Sequence, residues 1–145
     1  MRVVVRKTHS RNKPMISHLQ MITIYVRDLE RALEFYTGKL GFIRLAEYDA
    51  GKGERLVWVI PPSAAQDDFA TQIALYAPAD KNDARIGAAS GMVFTAQDIE
   101  ATYNELKSRG VPFVMDLVRH PYGNPPGDQE ARFRDPDGNT FLLHT

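Results

Sequence analysis

Two stretches of this chain repeat one another. VRDLERALEFYTGKLGF, from Val26, and AQDIEATYNELKSRGVPF, from Ala96, each set an aspartate before an amphipathic helical pattern, and those aspartates, Asp28 and Asp98, stand 70 residues apart. In the first copy Leu29, Ala32, Leu33, Tyr36 and Leu40 share one face; in the second Ile99, Tyr103 and Leu106 do. Asp28 and Asp98 can accept hydrogen bonds from the first free helical amides, and Glu30 and Glu100 oppose the positive end of the helix dipole. Gly41 and Gly110 stand where a left-handed residue ends a helix.

Each helix follows a strand, MITIYV from Met21 and GMVFTA from Gly91, and precedes three more. After the first come FIRLAEYD, RLVWVI and TQIALYA; after the second come VPFVMDLV, QEARFRD and NTFLLHT. The chain therefore reads βαβββ twice, an α+β pattern. DPDG, from Asp135, predicts a tight turn, because Pro136 presets φ and Gly138 tolerates a positive value; turn formation also accounts for Asp135 and Asp137. SAAQDDFA, APADKNDARIGAAS and HPYGNPPGD are predicted surface loops, the second joining the two modules and the third lying over a cleft.

A length of 145 residues predicts one domain able to bury roughly 70% of its unfolded surface without a covalent staple. There is no cysteine, which excludes disulfides and thiolate metal sites and makes the cytoplasm the default compartment. No apolar run approaches the ~18 residues of a membrane span. Residues 1–15 carry Arg2, Arg6, Lys7, Arg11 and Lys13 and no acid; without those five, 13 basic residues face 18 acidic ones. That surplus argues against nucleic-acid and membrane partners. Residues 1–15 read as a basic, flexible tail, and 16–145 as the folded domain.

LERALEFYTGKLGF in the first module and FRDPDGN in the second, in this order, resemble the vicinal oxygen chelate superfamily, which includes glyoxalase I, extradiol dioxygenases and bleomycin-binding proteins. The resemblance covers about residues 19–145, with modules near 19–78 and 88–145. It implies a curved, mostly antiparallel eight-stranded sheet wrapped around a cleft, helices on the outer side, and chains that pair as homodimers. It does not imply one function, since the scaffold hosts lyases, dioxygenases and metal-free binders.

The resemblance also implies where metal ligands would stand, on the first and last strand of each module. Those positions here hold Met21, Ala74, Gly91 and Leu142. One thioether does not satisfy a hard or borderline divalent cation, so no metal site and no cofactor is expected. A slip of the first strand would instead bring Gln20 and His18 to the cleft. Alternation opposes the slip, because Ile22, Ile24 and Val26 form a continuous apolar face for the helix to cover.

The same alternation turns Met21, Thr23, Tyr25, Gln72, Tyr76, Thr95, Leu142 and His144 toward the cleft, together with Ala74, Gly91, Val93 and Thr140. Such a mixed apolar and hydroxyl surface suits a small organic ligand, and the two tyrosines can stack on a planar group. His144 is the one catalytic candidate, near the end of the chain where a side chain tends to fray into solvent. Trp58 fits a core, subunit or stacking role equally, and Arg132 and Arg134 read as a solvated basic face that could also anchor an anion. No G-x-S-x-G, phosphate loop or cysteine nucleophile is present. The expected function is metal-independent binding of a hydrophobic or aromatic compound. The alternatives are a metal-dependent glyoxalase- or dioxygenase-like enzyme with unusual ligands, and a purely structural dimer module.

Overall fold

The structure, a computed structural model, describes residues 15–123 and 125–145. The expected basic tail therefore lies outside the described residues apart from Met15. The elements follow in the predicted order. Strand β1 (Met21–Tyr25) leads into helix α1 (Leu29–Leu33), which continues as a π-helical segment (Glu34–Lys39). Then come β2 (Ile43–Gly51), β3 (Glu54–Ile60), a 3-10 turn (Pro62–Ala64) and β4 (Gln72–Ala77). The second module comprises β5 (Met92–Thr95), α2 (Ile99–Ser108), β6 (Phe113–His120), β7 (Asp128–Arg134) and β8 (Thr140–His144).

Both helices start where the aspartates predict. Asp28 Oδ1 accepts from the amides of Glu30 (3.0 Å) and Arg31 (3.3 Å), and Asp98 Oδ1 from that of Ala101 (3.1 Å). The π-helical continuation of α1 was not expected from the apolar period. The wide turn carries two consecutive buried aromatics, Phe35 and Tyr36, while Thr37 Oγ1 donates back to Leu33 O at 2.6 Å.

Hydrogen bonding divides the eight strands into two four-stranded sheets, ordered β1-β4-β3-β2 and β5-β8-β7-β6. In each, the first and last strands of the module run parallel and the other pairs antiparallel. Alternation places Ile24, Val26, Leu75, Phe133, Phe141 and Leu143 on the buried helix side of their sheets as predicted, and Val57 and Val59 join them there. Each large apolar side chain contributes about 1.5–3 kcal/mol by leaving water.

One core serves both modules because the first helix leans on the second sheet. Phe35 meets Phe133 (6.4 Å between centroids), Tyr36 meets Phe141 (6.0 Å) and Phe42 meets Phe94 (5.5 Å). A polar clamp joins the same parts. Tyr36 Oη donates to Asp135 Oδ2 at 2.8 Å, Arg31 Nη2 to Asp137 Oδ1 at 2.7 Å, and Asn139 Nδ2 to Tyr25 O at 3.2 Å. Turn formation thus does not account fully for the DPDGN aspartates: Asp135 is only 2% exposed and partners the first helix.

Burial pushes the Asp135 carboxyl above its ordinary value, against the opposing hydrogen bonds from Asn139, Tyr36 and two turn amides. Between its ordinary value of 3.8 and that raised value, the folded state holds more protons than the unfolded state, so its contribution to stability falls as pH rises. Urea titrations from pH 3.5 upward should show the wild type losing stability relative to Asp135→Asn across that window. A difference that stays flat or grows with pH would contradict the assignment.

Candidate functional site

The side chains that alternation turns away from the helices stand on the opposite faces of the two sheets, called the inner faces below. On the first sheet Met21, Thr23 and Tyr25 lie beside Gln72, Ala74 and Tyr76 in an unbroken register, so β1 does not slip. His18 is instead exposed and packs edge-on against Phe69 (5.1 Å), while the Gln20 carbonyl accepts from the Gln72 amide at 2.9 Å. Trp58 on β3 pairs with Ala74 on β4, and its indole N–H reaches Met21 Sδ on β1 at 3.0 Å. The indole therefore spans β4 over the small Ala74, whose exposure is 0%. It covers both positions at which the first module would present metal ligands.

Tyr25 and Tyr76 meet edge to face at 5.4 Å. Tyr25 is less free to stack on a ligand than alternation suggests, because Arg85 lies 4.2 Å above its ring and donates to its hydroxyl at 3.0 Å. Asp83 grips the same guanidinium at 2.7 Å, and that bond holds the Asp83 carboxyl down at about 2. Nothing in APADKNDARIGAAS signals this role; it arises because the connection between modules passes the end of β1, where the Gly87 amide donates to Tyr25 O at 3.3 Å.

On the second sheet Val93 lies beside Leu142 and Thr95 beside His144. Leu142, with Ser90, Gly91, Val93, Arg132 and Thr140, lines a cavity of about 370 Å³. Thr95 lines a separate cavity of about 580 Å³ against α2, along with Leu106 and Phe42. Met21, Thr23, Tyr25, Gln72, Tyr76 and His144 line neither. The predicted residues thus share the inner faces but do not gather in one enclosed pocket.

His144 is not a frayed terminal side chain. Its Nε2 lies 2.9 Å from Asp128 Oδ2 and its Nδ1 2.9 Å from Thr145 O, and both partners only accept hydrogen bonds. Each ring nitrogen thus faces an oxygen of the chain itself. The pair ties the end of β8 to the start of β7.

The donor set does not fit a divalent cation. A thioether already engaged by an indole N–H, a buried alanine, a glycine and a leucine supply no carboxylate or imidazole. Among the described residues no group of three or more His, Cys, Asp or Glu is placed to hold a metal ion, and no helix is long and apolar enough to cross a membrane.

The sequence model of the Glyoxalase/Bleomycin resistance protein/Dioxygenase superfamily matches residues 16–143. The chain belongs to this superfamily. Among curated relatives of this glyoxalase-type protein, the uncharacterized protein YetH of Bacillus subtilis (strain 168) is 31% identical over 89% of this chain and 98% of its own. A superfamily member from Sphaerobacter thermophilus DSM 20745 is 36% identical, with a TM-score of 0.74 over 90% of this chain and 98% of the other. TnmS3, an antibiotic binding protein from Streptomyces sp. CB03234, is 29% identical, with a TM-score of 0.67 over 90% of this chain and 97% of its own. The two-module fold expected from the repeat is that of the superfamily.

Proposed function

We propose that this protein is a metal-independent small-molecule-binding protein of the glyoxalase/bleomycin resistance type, holding a hydrophobic or aromatic compound against the inner sheet faces. One observation carries the reading: Trp58 lies across Met21 and Ala74, filling with an aromatic surface the place a metal-dependent relative would use for ligands. The half-buried indole and Leu56 on the first sheet, and Val93 and Leu142 on the second, supply apolar surface, with hydroxyl-bearing Thr23, Thr95 and Thr140 on the same strand faces. The similarity to an antibiotic binding protein supports the same class.

We further propose a cytoplasmic homodimer. Every residue of β2 is exposed, including Ile43, Leu45 and Tyr48, and among the described residues this strand ends its sheet with an unpaired edge. A second copy is the partner the resemblance implies, and light scattering reads the mass directly.

Two measurements test the binding function. Protein purified without chelator should carry far less than one transition metal per chain. A library of planar aromatic compounds should contain members that raise the melting temperature and change Trp58 fluorescence, since binding at about 100 times Kd stabilises the fold by about 2.7 kcal/mol. Stoichiometric metal, with activity lost on chelation, would replace this reading with a glyoxalase- or dioxygenase-like enzyme. Silence of the whole library would favour a purely structural module.

A further inference from the structure

We infer that the cavity beside Leu142 is an anion-anchoring subsite and that the ligand of this protein is an apolar molecule bearing a carboxylate, gripped by Arg132. This rests on the binding function proposed above and specifies its chemistry.

The argument starts from β7. Its side chains alternate between the core, where Ala131 and Phe133 are buried, and the inner face, where Asp128, Glu130, Arg132 and Arg134 stand in a row. The two acids are matched: Asp128 pairs with His144 at 2.9 Å and Glu130 with His120 at 3.2 Å. The two arginines are not. Among the described residues neither guanidinium has an ion pair or a side-chain hydrogen bond, a state shared with Arg27 and Arg119, whereas Arg31, Arg44, Arg55, Arg85 and Arg109 each have a carboxylate partner. The cross-strand neighbours of Arg132 are Leu142 and Met115, and that of Arg134 is Thr140, so neither neighbouring strand places a carboxylate opposite them.

Arg132 and Arg134 stand about 7 Å apart on one strand face and repel each other, while Glu130, equally near Arg132 on its other side, is engaged by His120. A carboxylate between them would remove that repulsion, and the planar fork of Arg132 can bind it through two parallel hydrogen bonds. The cavity supplies the rest of the ligand's surroundings. Val93 and Leu142 supply apolar lining, Ser90 and Thr140 line the same cavity, and the volume of about 370 Å³ suits a small organic body. Space is open at Gly91, where an added Cβ would meet nothing within 4 Å. The position at which a metal-dependent relative places a carboxylate is here an apolar surface beside a cation, so the charge a ligand must bring is negative.

Calorimetric titration of the full chain with three matched probes tests this: 2-naphthoate, 2-naphthamide and 2-naphthylmethylammonium. The wild type should bind naphthoate at least tenfold more tightly than the amide, and the amine weakest. Arg132→Gln should abolish the preference by weakening naphthoate binding to the level of the amide, with the melting temperature of the free protein unchanged because the side chain is exposed. Arg132→Lys should keep part of the preference, as a point charge without the fork. Equal binding of naphthoate and naphthamide, a preference that survives Arg132→Gln, or no naphthoate binding would each overturn the inference. The two readings fail separately: if neutral or cationic aromatics bind and naphthoate does not, the binding function stands and the anionic subsite falls.

Discussion

Gly87→Ala should remove most of the stability of this protein. Gly87 adopts φ +73°, and a Cβ built on it would lie 2.0 Å from the Asp137 carbonyl oxygen and 3.0 Å from its carbon. The obstacle is main chain on both sides, and it sits where the connection between modules crosses the DPDGN turn. Relief requires moving that turn, which also carries Asp135 and Asp137, the partners of Tyr36 and Arg31. A loss of about 4 kcal/mol or more is expected, at the far end of single-substitution effects. Gly53→Ala provides the control. Gly53 has φ +79° but nothing within 4 Å of the added Cβ, so only the left-handed backbone cost of about 1–2 kcal/mol applies. Urea midpoints should therefore separate the two variants widely, and similar midpoints would show that the close approach at Gly87 contributes little.

Asn139→Ala is expected to be nearly as damaging, through unsatisfied polar groups rather than sterics. Asn139 is 0% exposed. Its Oδ1 accepts from the Ala89 amide at 2.9 Å, and its Nδ2 donates to Asp135 Oδ2 at 2.8 Å and to Tyr25 O at 3.2 Å. Alanine strands a donor and an acceptor from different modules and takes one bond from a buried carboxyl. At about 1–3 kcal/mol for each buried group left without a partner, a total of about 3–5 kcal/mol follows. Hydrogen exchange at the Ala89 amide gives a local readout, since it should lose protection beyond what the global loss explains. An Asn139→Ala protein within 1 kcal/mol of wild type by urea titration would mean that the aromatic contacts between modules suffice without the clamp.

Both predictions concern the junction between modules, the part of the fold the sequence disclosed least. The repeat announced the two helices, their aspartate caps and the order of all eight strands, because those depend on local hydrogen bonding and on apolar periods of two and 3.6 residues. Alternation likewise separates the two faces of each strand: Ile24, Val26, Leu75, Phe141 and Leu143 are buried, and Met21, Tyr25, Leu142 and His144 stand on the opposite side. It could not show that Asp135 is more than a turn residue, since its partner Tyr36 lies 99 positions away. The π-helical turn that carries Tyr36 also escaped it.

At the candidate site the division is similar. The lack of carboxylate and imidazole at positions 21, 74, 91 and 142 could be read from residue types once the superfamily resemblance supplied their places. That Trp58 covers two of them, that Arg85 takes one face of Tyr25, and that His144 is spent on Asp128 could not, for each joins residues from strands or loops distant in the chain. Pattern along the chain sets which way a side chain points, because strand and helix geometry repeat locally. What that side chain meets depends on how the two modules close on each other, and only the packed molecule decides it.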